Sequence, residues 1–215
     1  MAFEALRVYL LDSELRTNPF HERGRLKEMR SRIFVFALAV CLSIALPLSA
    51  DVADQAPNGF TLRINTIVRG APPEVVYAKL VHNIGDWWDS AHTYGNDAHN
   101  LSIDDKPMGC FCEKLPYGGG VRFAEVITVM PNKLLVMSGA LGPLQKFGVS
   151  ATWTIVLEPM HKDTRVEMVY AVGGYLPDGL NTWAEPVNKV LTEQLGRLRS
   201  YVETGNPQPA AAPGK

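Results

Sequence analysis

The stretch "PVNKVLTEQLGRLRSYV", Pro186 to Val202, sets Val187, Val190, Leu191, Leu195, Leu198 and Val202 three and four residues apart, with Glu193, Arg197 and Arg199 between them. That period belongs to a long amphipathic helix whose charged side, Arg197 included, is expected to face water. Pro186 has no amide hydrogen to donate, so the helix begins there or kinks there. One apolar face needs a partner, and the chain upstream offers strands. In "VSATWTIVLEP", Val149, Ala151, Trp153, Ile155 and Leu157 alternate with Ser150, Thr152 and Thr154. The next segment sets Val166, Met168, Tyr170 and Val172 opposite Arg165 and Glu167. "FTLRINTIV" alternates in the same way, and "VRFAEVITVMPNKLLVMSG" adds two strands about a turn at Pro131 and Asn132. Such alternation describes an antiparallel sheet with one wet face.

"GAPPEVVYAKLVHNIGDWW" separates the first strand from the others. Pro72 and Pro73 suit a helix start, Glu74 complements the helix dipole, and Val75, Val76, Leu80 and Ile84 fall near helical spacing. The expected fold is α+β: a curved antiparallel sheet wrapped around a long C-terminal helix, with short helices after the first strand. Wherever side chains are too few to fill the space under the curve, a ligand-sized gap remains.

The frame "WWDSAHTYGNDAHNLS", "GCFCEKLPYGGGV", "GALGPLQKFGV", "VGGYLPDGL" and "EQLGRLRSYVE" resembles the START-like (SRPBCC) superfamily, in particular its secreted bacterial members related to polyketide cyclase/dehydrase. The resemblance spans roughly residues 59–203. It implies a helix-grip fold with a cavity for an apolar ligand. It implies no catalytic residue, because the superfamily carries lipid carriers, receptors and enzymes on one scaffold.

The ends of the chain differ in character from its middle. "MRSRIFVFALAVCLSIALPLSADVA" places Arg30 and Arg32 before an apolar run, then Pro47 and small residues to Ala50. That is the order of a secretory signal over residues 29–50, cleaved near Ala50, behind a charged leader, 1–28, that a start at Met29 would remove. An uncleaved membrane anchor over 33–48 is the rival, and lipidation at Cys41 a weaker one. The mature chain is expected outside the cytoplasm, periplasmic or secreted, with no stable membrane span after cleavage. Residues 51–58 are expected to form a flexible linker, 59–204 the ligand-binding domain and 205–215 a disordered tail. A formal charge of -1 with no basic stripe in the second half excludes nucleic acid as a partner. No cofactor is expected, and a monomer or weak dimer.

Chemistry concentrates in "GCFCEKLPYGGG", Gly109 to Gly120. No Lys-Ser/Thr pair follows the glycines, so they read as a hairpin turn rather than a phosphate loop. Cys110 and Cys112, about 6.6 Å apart on an extended strand, stand at the edge of disulfide geometry. Packed thiols are the leading reading, ahead of a labile disulfide and of a metal site completed by His92 and His99. Glu113 shares a strand face with Phe111 and Leu115, so it is expected in the cavity. Apolar walls disfavour its charged form, which suits it to donate a proton or anchor a ligand; the alternatives are a salt bridge to Arg122 or Arg165, or exposure at the cavity mouth. His92 is its candidate acid/base partner, or else a loop residue capping a turn. Trp87, Trp88, Phe111, Trp153, Met168, Tyr170, Tyr175 and Trp183 are candidate ligand contacts, packing being the alternative for each. The segment up to Trp183 is a candidate flap at the helix start. Three functions follow: binding of a hydrophobic small molecule or lipid, a cyclase or dehydratase using Glu113 and His92, or protein interaction as in chaperone activators of similar fold.

Overall fold

The computed structural model describes residues 49–208. The leader, the signal or anchor segment up to residue 48, Cys41 and residues 209–215 of the tail lie outside the described residues. Eight strands form one antiparallel sheet in the order β1-β2-β8-β7-β6-β5-β4-β3. They are β1 (Ser49–Ala56), β2 (Gly59–Val68), β3 (Leu101–Ile103), β4 (Cys110–Lys114), β5 (Gly120–Met130), β6 (Leu134–Ser138), β7 (Gly148–Met160) and β8 (Asp163–Tyr175). Helix α1 (Pro73–His82) and the single turn α2 (Ile84–Trp87) follow β2, and α3 (Asn181–Thr204) closes the domain. The sheet curves around α3, which packs on β1 and β2 and is flanked by α1 and α2.

The alternation read from the sequence is the alternation observed. Phe60, Leu62, Ile64 and Val68 of β2, Ala151, Trp153, Ile155 and Leu157 of β7, and Val166, Met168, Tyr170 and Val172 of β8 all point into the core. Leu191, Leu195 and Leu198 of α3 meet them there. At about 25 cal/mol per Å² of apolar surface, this shared burial is the main force holding helix to sheet.

Four expectations need correction. Residues 51–56 are not a flexible linker; they belong to β1, which pairs with β2 from Ser49↔Asn65 to Ala56↔Gly59. Small polar residues suit an edge strand, where Asp51 and Asp54 discourage further pairing. Helix α3 starts at Asn181, so of the two expectations for Pro186 a start there is overturned and the proline lies inside the helix. Its first turn is anchored when the Leu180 amide donates to the Pro57 carbonyl at 2.8 Å, so Pro186 lies one turn inside and Trp183 is helical rather than part of a flap. Arg197 is not turned to water: it is only 9 % exposed, because α2 and the residues after it lie across that side of the helix. The beginning of the tail is also ordered, since Ser200 Oγ donates to the Gln208 carbonyl at 2.8 Å after the helix ends at Gly205 in a left-handed conformation (φ 78°).

The Gly118–Gly120 turn is as expected. Tyr117 (φ 59°) and Gly118 (φ 79°) supply the left-handed pair that reverses the chain between β4 and β5, and the Leu115 amide donates to the Gly119 carbonyl. Among the described residues no helix is long and apolar enough to cross a membrane.

Candidate functional site

Beneath the centre of the sheet, buried aromatic rings pack against one another. Trp88 stacks edge-on against Phe111 (5.6 Å between ring centroids) and Trp153 (6.1 Å), and Phe111 lies 5.0 Å from Phe123. Phe111, Trp153, Met168 and Tyr170 are therefore core residues, not cavity walls. The gap opens instead at one end of the domain, where α3 begins. A cavity of about 450 Å³ lies there, lined by Trp88, by Ala91 to Tyr94 of the following loop, by Phe123 of β5, by Leu141, Gly142, Pro143 and Lys146 of the β6–β7 connection, and by Trp183, Pro186, Val187, Val190 and Leu191 of α3. Its walls are mostly carbon, a combination typical of small-molecule sites.

Buried polar groups hold these walls in place. Glu113 is 1 % exposed, and its side chain points inward as the strand alternation requires. Its two carboxyl oxygens accept from the Tyr94 amide (2.9 Å) and the Gly95 amide (2.6 Å). The carboxyl group thus sits behind the cavity-lining loop, not in the cavity. It makes no salt bridge to Arg122, which pairs with Glu125, or to Arg165, which pairs with Glu158 and Glu167. Tyr170 accepts from the Leu141 amide at 2.9 Å, and burial pushes its hydroxyl up to about 12. That phenol fixes the opposite wall.

A third set ties the loop after α2 to α3. Asp89 caps the turn Ser90–His92 through the Ala91 amide, and its own amide donates to Gln194 Oε1 at 2.9 Å. Arg197 Nε donates to the Trp87 carbonyl at 2.8 Å, with its guanidinium 3.7 Å from the Asp89 carboxylate. Sequence reading missed both residues. Gln194, wholly buried between Leu191 and Leu198, was detectable as a polar side chain inside an apolar stripe; Arg197 gave no such signal.

Of the candidate contacts, Trp88 and Trp183 lie on the cavity wall, as does the candidate acid/base residue His92. Trp87 lies off it and donates its indole N–H to the Lys79 carbonyl. Tyr175 is 74 % exposed at the end of β8 and is also off the wall. Among the described residues no hydrogen bond joins His92 and Glu113, and each carboxyl oxygen of Glu113 accepts from a backbone amide. Cys110 and Cys112 form a disulfide, not a pair of packed thiols, with Cα atoms 5.4 Å apart. A register shift at Phe111/Cys112 departs from the regular ladder on which the longer spacing was reckoned. No cluster of three or more metal-ligating side chains occurs among the described residues.

No family model and no curated protein matches the chain. Solved structures do. A protein from Arthrobacter aurescens aligns over 78% of this chain and 98% of its own at 15% identity, with a TM-score of 0.53. One from Rhizobium leguminosarum aligns over 73% and 98% at 18% identity, with a TM-score of 0.51. DynU16, from the dynemicin biosynthetic locus, aligns over 70% of this chain and 49% of its own at 18% identity, with a TM-score of 0.50. The fold is a helix grip. At these identities the likeness extends to architecture and not to chemistry.

Proposed function

We propose that this helix-grip protein binds a hydrophobic small molecule or lipid without transforming it, and does so after export from the cytoplasm. The observation that carries the binding is the apolar cavity of about 450 Å³ between α3 and two loops. Its size falls within the range of small-molecule sites. Glu113, the candidate proton donor, is engaged in building a wall through two backbone amides, and Tyr170 holds another through the Leu141 amide; His92 lines the cavity, and no carboxylate stands among the lining residues to pair with it. Export is supported by the signal-like order of residues 29–50 and by the Cys110–Cys112 bridge, which suits an oxidising compartment.

The test is titration of Nile red, an uncharged apolar dye, into wild type and into Val190→Trp, which fills the cavity from the helix side. Affinity is expected to fall at least about tenfold in the variant, the loss of about 1.4 kcal/mol of contact. Unchanged binding in a folded variant overturns the reading. Native mass spectrometry of protein purified from its own host then identifies the guest.

A further inference from the structure

The cavity wall is uneven in charge. Of its fifteen lining residues none is acidic, while Lys146 is a cation and His92 an imidazole. Neither side chain has an ion-pair or hydrogen-bond partner among the described residues, whereas the carboxylates of Asp89 and Glu113, next to the wall, are engaged elsewhere. Asp89 turns to Arg197 and the Ala91 amide. Glu113 is behind the loop, held by amides. Glu185 is on the adjoining turn of α3 but outside the wall. Lys146 is exposed where it borders the apolar wall, a position from which a long cationic side chain keeps its head in water.

Building on the proposed binding role, we infer that the guest is an amphiphile with a carboxylate head: its apolar body lies against Trp88, Trp183 and Leu191, and its head meets Lys146 and His92 at the rim. One full positive charge complements one negative charge. A neutral guest leaves the cation unpaired, and a cationic guest is repelled. Complementarity of this kind sets which ligand is chosen more than how tightly any ligand is held.

Decanoate and decanol share a tail and differ at the head, so their comparison isolates the charge. By calorimetry the wild type is expected to bind decanoate at least about threefold more tightly than decanol, the scale of a partly exposed ion pair. Lys146→Gln should abolish that preference, Lys146→Arg should retain it and Lys146→Glu should reverse it. Lys146 is exposed, so these variants test charge rather than folding. Equal binding of both probes, or a preference that survives Lys146→Gln, overturns the carboxylate assignment while leaving the apolar cavity in place. Binding of neither probe, together with failure of Nile red to bind, overturns both.

Discussion

Glu113 is surrounded by protein on every side, and its two oxygens serve the amides of Tyr94 and Gly95. Replacing it by alanine leaves two part-buried donors without their acceptors. Each unpaired donor costs about 1–3 kcal/mol, so Glu113→Ala should lose about 3 kcal/mol of stability by urea unfolding. Hydrogen exchange at Tyr94 and Gly95 should quicken at the same time. Glu113→Gln keeps one acceptor and should lose roughly half as much. If exchange at those two amides is unaltered in either variant, the carboxyl group is not what fixes the loop. Gly95 shows how closely the parts fit, since a Cβ there lies only 3.0 Å from Glu113 Oε1.

At the scale of elements, β4 carries the disulfide on one face and Glu113 on the other. A bridge spanning three residues removes little freedom from the unfolded chain, so Cys110→Ser with Cys112→Ser should cost only about 1.5 kcal/mol and leave the fold intact. Alkylation of the wild type at these positions should require prior reduction; labelling without it would show that the thiols are free. The elements were legible in sequence wherever one period ran unbroken, as in β7, β8 and the leucine face of α3. They were obscure where another element intervened. Periodicity places Arg197 on the wet side of an isolated helix, and only the packing of α2 across that side buries it. Likewise β1 is too polar to announce itself as a strand, and only its ladder with β2 makes it one. For the site, the sequence pointed to the right neighbourhood, with Trp88, His92 and Trp183. It placed Glu113, Phe111, Trp153, Met168 and Tyr170 in a cavity because it could say which strand face turns inward, but not whether neighbouring side chains fill the space beyond.

For the whole molecule, the cavity's position at the end of the sheet means that its walls are mainly loops and the first turns of α3. One contact between two of those walls runs through a phenol. The Tyr94 hydroxyl donates toward the Gly142 carbonyl at 3.2 Å and lies 3.4 Å from Gln145 Oε1, whose Nε2 in turn donates to the Arg122 carbonyl. On the proposed binding role, a guest entering or leaving between these walls parts this hydroxyl contact, which reforms behind it. Tyr94→Phe should therefore speed association and dissociation alike in stopped-flow mixing with Nile red, by about fivefold each if one bond worth about 1 kcal/mol is removed, while Kd stays nearly constant. On that role, such a latch sets how long a cargo is kept, not which cargo is preferred.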